Sequence, residues 1–315
     1  KMRVLVTGGA GFIGSHTVRR LIAEGNEVIC VDNFNDYYDP AIKERNIADF
    51  SDNFTLERLD IRDADGVKEV FKKHKPTHAI LLAARAGVRP SIESPMLYHD
   101  VNISGTLNLL EAAQETGVEN IAFASSSSVY GGSKNIPFEE NEWPLLPISP
   151  YAATKLGGEN LCRYYHQQYG LNITCLRFFT VYGPSGRPDM APYLFTKWID
   201  QGQSIRRFGD GTTKRDYTYI EDIVDGIYAA IKKKIGYEII NLGNNTPIVL
   251  NDFIGIIEKL LGKKANIDEM PEQPGDVPIT YASIKKAKQL LDYTPATSIQ
   301  EGLEKFVAWY LQQTK

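Results

Sequence analysis

Met2-Arg3-Val4-Leu5-Val6-Thr7-Gly8-Gly9-Ala10-Gly11-Phe12-Ile13-Gly14 is the stretch that decides the fold. Residues 2–7 form a short apolar run rich in β-branched side chains, the pattern of a buried parallel strand. Glycines at 8, 11 and 14 break it, a helical pattern runs from Ser15 to Glu24, and Gly25-Asn26 closes that helix. Val28-Ile29-Cys30-Val31-Asp32 then reads as the next strand. Glycines at this spacing allow a tight turn, close backbone approach to a pyrophosphate and close helix–strand packing, with the helix N-terminus facing the phosphates. An ordinary strand–helix turn can also hold three glycines. The acidic Asp32, 18 residues after Gly14 at the end of the second strand, separates the two readings. A carboxylate there accepts hydrogen bonds from a ribose diol and repels a 2′-phosphate, which predicts NAD over NADP. Asn33, Phe34 and Asn35 follow, without an arginine. The competing reading of Asp32 is a capping or turn aspartate.

Working outward, strands and helices keep alternating. Phe54–Leu59 runs into Asp60-Ile61-Arg62 and a helix over 63–73, and the strand His78–Leu82 ends at Ala83-Ala84. Helical patterns cover 97–116, the strand Asn120–Ala124 follows, a helix begins after Tyr151, and Ile173–Arg177 is the next strand. This predicts an α/β, Rossmann-type doubly wound parallel sheet whose ligands sit at the strand C-termini. After residue 180, prolines and glycines cluster and the elements shorten, which predicts a smaller C-terminal substrate-binding α/β domain. The expected division is 1–180 with about 218–245 in the first domain, and about 181–217 with 246–315 in the second.

Composition narrows the function classes. With a net charge of −4 and no basic cluster, neither nucleic acid nor an anionic membrane is an expected partner. Cys30, Cys162 and Cys175 form neither an even disulfide set nor a C-x-x-C metal pattern, so buried thiols in a reducing compartment are expected, and no metal. No apolar run is long enough to span a bilayer, and the first segment reads as a strand and not as a signal peptide. The expectation is a cytoplasmic protein.

The chemistry is carried by Ser149-Pro150-Tyr151-Ala152-Ala153-Thr154-Lys155. A tyrosine and a lysine four apart on a helix share one face. The lysine charge would favour phenolate and lower a pKa that is ~10 unperturbed, making Tyr151 a general base or acid for a sugar hydroxyl. Alone, the pair is an ordinary surface-helix pattern. Ser125-Ser126-Ser127-Ser128, at the end of the 120–124 strand, is by itself a polar turn. In a sheet that binds a dinucleotide and carries the Tyr/Lys pair, those hydroxyls point into the cleft.

Together these residues make the chain resemble the extended short-chain dehydrogenase/reductases, specifically the NAD-dependent nucleotide-sugar 4-epimerases, over essentially its whole length. The likeness rests on Gly8-x-x-Gly11-x-x-Gly14, Asp32, Asp60-Ile61, Ala83-Ala84, Asn102, Ser125 to Gly131, Tyr151-x-x-x-Lys155, Arg215-Asp216-Tyr217 and Gly275-Asp276-Val277-Pro278. Three further stretches, Ala86–Arg89, Phe178–Pro184 and Arg187–Ala191, resemble the UDP-glucuronate 4-epimerases. The resemblance implies that Tyr151 takes the sugar 4-hydroxyl proton while hydride passes from C4 to NAD. The resulting 4-keto sugar turns over and takes hydride back on its other face. It makes Ser126 the hydroxyl on sugar O4, with Lys155 on the nicotinamide ribose. Further implied cofactor contacts are Phe12, Ile13, Asn33, Asp60, Ile61, Leu82, Ala83, Ala84, Asn102, Ser125, Phe178 and Val181. For a UDP-sugar it implies Arg89, Ser127, Ser128, Phe208 at uracil, Arg215 at the diphosphate and Asp276 at the ribose. Gln273 departs from the arginine common two residues before Gly275. Helices 103–116 and 153–169, with Leu107, Leu110 and Ala113 on one and Leu156, Leu161, Tyr164 and Tyr165 on the other, are implied as a homodimer interface. The plainer reading of both stripes is core packing.

Three positions bear on the sugar. Thr180 stands where glucose- and N-acetylglucosamine-type enzymes often carry asparagine. Arg187 would face the C6 end, where a guanidinium suits a carboxylate; otherwise it is a loop arginine in water. Thr280 is small and closes nothing around C2, so UDP-GlcNAc and UDP-glucose remain alternative substrates. A 4,6-dehydratase would need an Asp-Glu pair at Ser127 and Ser128, and a UDP-glucuronate decarboxylase a glutamate at Ser128. A non-catalytic NAD-sensing protein would have lost Tyr151, Lys155 or the hydroxyl at 126.

Overall fold

A computed structural model describes residues 1–273 and 276–315. Seven parallel strands form the large sheet: β1 (Arg3–Thr7), β2 (Glu27–Asp32), β3 (Thr55–Arg58), β4 (His78–Leu81), β5 (Asn120–Ser126) and β6 (Asn172–Phe178), joined at one edge by the Tyr237–Leu242 strand. The spatial order is 3-2-1-4-5-6 followed by the Tyr237–Leu242 strand, so the direction of winding reverses between β1 and β4. That crevice is where a doubly wound sheet binds its ligand. The α/β fold is the one the sequence predicts.

Strand alternation assigns successive side chains to two cores. Val4, Val6, Val28, Ile80, Ala122 and Leu176 join one buried cluster. Their neighbours Leu5, Ile29, Ala79, Leu81, Ile121 and Cys175 join the other. Helices Phe12–Ala23 and Ile220–Lys232 cover the first face; Ala64–His74, Gly105–Thr116 and Pro150–Tyr169 cover the second.

Two small sheets follow the large one. In the first, β7 (Thr180–Tyr182) pairs parallel with β9 (Lys214–Tyr219), which pairs antiparallel with the Pro247–Val249 strand. In the second, β8 (Ser204–Phe208) pairs parallel with the Asn266–Met270 strand. Their helices do not enclose a separate core. Phe253, Ile257 and Leu303 belong to the same buried cluster as Val4 and Ile220, so the two lobes share one apolar interior.

Two local readings change. The helical pattern over 97–116 is interrupted: helix Pro95–His99 passes through a π-helical turn at Asp100–Ser104 before Gly105–Thr116. The turn lets Asn102 reach inward, where its amide spans the Arg85 backbone (Oδ1 from Arg85 N, 2.8 Å; Nδ2 to Arg85 O, 3.1 Å). Strand β5 also runs two residues further than expected, because Ser125 and Ser126 stay paired with Arg177 and Phe178 of β6. The first two serines are therefore strand, and only Ser127–Tyr130 make the turn.

Candidate active site

The glycine turn is built as its spacing requires. Gly8 sits at φ +69°, donates its N–H to Val31 O at 2.8 Å, and accepts from Gly11 N at 3.1 Å. A Cβ on Gly14 would lie 1.9 Å from the Gly8 carbonyl oxygen, so only glycine lets the helix start this close to the strand. Helix Phe12–Ala23 has no side-chain cap, which leaves its first N–H groups to a ligand anion.

Asp32 ends β2, 3 % exposed, and ion-pairs with Lys43 Nζ at 2.9 Å. Ile61 and Asp60 follow β3, while Leu82, Ala83 and Ala84 follow β4. All of them line one cavity with Gly8, Gly11, Phe12, Ile13, Gly14, Asp32, Asn33, Ser125, Phe178 and Arg187. Tyr151 and Lys155 line it too.

The reactive pair is positioned by its helix start. Ser149 caps the helix by accepting from Ala152 N at 3.1 Å, and Pro150 takes the first helical position. Tyr151 N donates to Ser91 Oγ at 3.0 Å, fixing the first turn against helix Val88–Glu93. Lys155 is 5 % exposed, with Nζ donating to Ala124 O at 2.9 Å and lying 5.9 Å from the Tyr151 ring centroid. Burial pushes the lysine down to about 8. Burial also raises Tyr151 above the ordinary phenol value, against the pull of the Ser126 hydroxyl and the Arg187 guanidinium. Lys155 is not among the groups that pull the Tyr151 pKa down; its ammonium is bonded to the Ala124 carbonyl.

Ser126 Oγ accepts from Ser128 N at 3.1 Å and from Ser128 Oγ at 2.9 Å, so the last serine of the strand and the second serine of the turn form one hydroxyl cluster. Arg187 is held by Asp189 through two parallel bonds, Nε to Oδ1 at 3.0 Å and Nη2 to Oδ2 at 2.8 Å. Burial alone would raise the Asp189 carboxyl, but the guanidinium holds it below its usual value. Arg187 is thus neither the water-exposed loop residue nor an unpaired cation.

Several predicted residues lie elsewhere. Asn102 is 3 % exposed behind the wall, bracing Arg85 and Thr154 Oγ1 (3.1 Å). Val181 is in the apolar core and not on the cavity. Arg89, Ser126, Ser127, Ser128, Thr180, Phe208, Arg215, Asp276 and Thr280 do not line the cavity, although the Ser126 hydroxyl reaches the Tyr151 phenol. Of these, Arg215 and Asp276 meet each other at 3.0 Å, and Thr280 N bonds Lys214 O beside them, making a second polar group on the small lobe. Gly275 lies outside the described residues.

Sequence reasoning missed Tyr37, Lys43 and Arg85 on the cavity wall. Arg85 Nε is buried without a hydrogen-bond partner among the described residues. The Tyr37-Tyr38 pair just after Asp32 was a signal, since two aromatics in a polar loop need something to cover.

A glycine turn at an uncapped helix, a carboxylate at the ribose position and a Tyr/Lys pair on the same wall define a nicotinamide-nucleotide enzyme of the short-chain dehydrogenase/reductase class. Residues 4–243 match the NAD dependent epimerase/dehydratase family, and the chain belongs to it. It is 48% identical over 308 residues, 97% of this chain and 95% of the relative, to a UDP-glucuronate 4-epimerase of Thermodesulfobacterium geofontis. Among solved structures it resembles the UDP-glucuronic acid 4-epimerase of Bacillus cereus in complex with UDP-glucuronic acid and NAD (38% identity, TM-score 0.92, 99% of this chain and 100% of that one). It also resembles the UDP-glucose 4-epimerase of Thermotoga maritima with UDP-glucose (32%, 0.91, 100% of each).

Proposed function

We propose that this protein is a UDP-glucuronate 4-epimerase, interconverting UDP-glucuronate and UDP-galacturonate. It is an isomerase using NAD, of the UDP-sugar 4-epimerase type. NAD, when bound, takes up and returns the hydride of sugar C4. The chain's own residues do the rest. Tyr151 Oη removes and restores the 4-hydroxyl proton, Ser126 holds O4, and Lys155 supplies the buried positive charge beside the phenol. Arg215 and Phe208 are assigned to the diphosphate and the uracil.

The observation that carries the uronate is Arg187, a cation that lines the same cavity as Tyr151 and lies near enough to act on its phenol. Asp189 occupies Nε and one Nη2 hydrogen, leaving Nη1 for a carboxylate oxygen of the sugar. Such a hold keeps the carboxylate from leaving as carbon dioxide at the 4-keto stage, where a β-keto acid decarboxylates readily. Ser127 and Ser128 add hydroxyl donors and no acid. For Arg187→Ala, the expected result is a loss of about 10- to 100-fold in kcat/KM on UDP-glucuronate, the size of a lost charge-assisted contact. A pentose side product should appear as well. Unchanged turnover without decarboxylation would contradict the clamp.

The likeness to a UDP-glucose enzyme supports a second reading, in which the same chemistry acts on UDP-glucose or UDP-GlcNAc. A homodimer is part of the proposal: Leu107 (38 % exposed) and Tyr164 (53 % exposed) stand on the two helices assigned to the interface. Sedimentation decides this, with a monomer at micromolar concentration contradicting it.

A further inference from the structure

Asp32 has less to offer a ribose than its position suggests. A carboxylate has about four acceptor positions. Oδ1 takes the Phe34 N–H at 2.9 Å and the Lys43 ammonium at 2.9 Å, and Oδ2 takes the Ala10 N–H at 3.1 Å. A single position on Oδ2 remains, whereas a ribose diol brings two hydroxyls. Lys43 Nζ has three donors and spends one on Asp32. Its side chain is 11 % exposed and lines the same cavity as Gly11 and Asn33. The Tyr38 ring, 5.9 Å from Nζ, walls it in.

We infer that Lys43 shares with Asp32 the reading of the cofactor's adenosine ribose, and that it gives the site a latent affinity for a 2′-phosphate which Asp32 alone suppresses. The inference rests on the cavity being the NAD site. One ribose hydroxyl donates to Oδ2 of Asp32, and the other accepts from Lys43. Carboxylate and ammonium nearly cancel, so the repulsion of a 2′-phosphate is weaker than an isolated aspartate would give. With Asp32 removed, the ammonium stands free in a walled pocket, and a lysine there binds phosphate as a point charge.

Calorimetric titration of the nucleotide-free full chain with NAD and with NADP tests this, with the melting temperature of each variant reporting its folding. Lys43→Met should weaken NAD binding about tenfold, as expected for one charged hydrogen bond. Asp32→Ser should raise the NADP-to-NAD affinity ratio by about 100-fold. The double variant Asp32→Ser/Lys43→Met should lose at least tenfold of that gain. Asp32→Asn, which keeps the side-chain shape, gives the same comparison if the serine variant does not fold. An unchanged NAD affinity in Lys43→Met, no NADP gain on removing Asp32, or a gain that survives in the double variant would each overturn the inference. Failure of the unaltered chain to bind NAD would instead overturn the assignment of the cavity, and the inference with it.

Discussion

Tyr151→Phe should lower kcat by about 10³-fold, within the range for losing a positioned general acid–base group, while leaving KM and cofactor content nearly unchanged. The substitution removes only Oη. The backbone N–H keeps its bond to Ser91 Oγ, the Ser149 cap still starts the helix, and Lys155 keeps its bond to the Ala124 carbonyl. The variant therefore tests proton transfer and not architecture. Burial raises the Tyr151 pKa, and Ser126 and Arg187 pull against it. Steady-state kinetics and the nucleotide released on denaturation decide the point; a kcat within threefold of the parent would remove Tyr151 from the mechanism.

The largest stability effect is expected at Arg177→Met, about 3–5 kcal/mol. Arg177 and Glu159 are 1 % and 2 % exposed at the side chain, joined by Nε to Oε2 at 2.9 Å and Nη2 to Oε1 at 2.8 Å. The Ser125 hydroxyl also donates to Glu159, and the Tyr130 ring lies under the guanidinium at 4.9 Å. Removing the arginine leaves the carboxylate buried with a single hydroxyl for company, which is far more costly than never having had the pair. Thermal unfolding should drop by the order of 10 °C. The double variant Arg177→Met/Glu159→Met should recover most of the loss, since two well-packed apolar groups replace a buried ion pair at little cost. A single variant within 1 kcal/mol of the parent would show that the pair is not the brace it appears from its burial. Its position gives it a second consequence: Glu159 stands one helical turn beyond Lys155, and Ser125 adjoins Ser126, so the pair ties the helix of the reactive residues to the strand end beneath them.

Wherever a residue type is forced by geometry, the sequence was readable. Gly8 and Gly14 announced the turn because a positive φ and a 1.9 Å approach exclude every other side chain. Tyr151 and Lys155 announced themselves because helical spacing fixes which residues share a face. Asp32 was legible from its distance to the glycines, but its load was not: Lys43 reaches it from a helix at Pro40–Ile47 with no periodic signal linking them. Nothing in the one-dimensional pattern shows Asp189 folding back onto Arg187. The π-helical turn at Asp100–Ser104 was invisible for a similar reason. It carries Asn102, whose amide braces the Arg85 backbone, a tertiary contact that helical periodicity does not reveal. The shared core was not legible, since apolar periodicity does not say which neighbour a face will meet.

The most direct test is a product assay on the purified protein without added NAD. UDP-glucuronate, UDP-glucose and UDP-GlcNAc are supplied separately and the products resolved by NMR. The account predicts UDP-galacturonate from UDP-glucuronate and no turnover of the other two. Conversion of UDP-glucose or UDP-GlcNAc with UDP-glucuronate left untouched would contradict it.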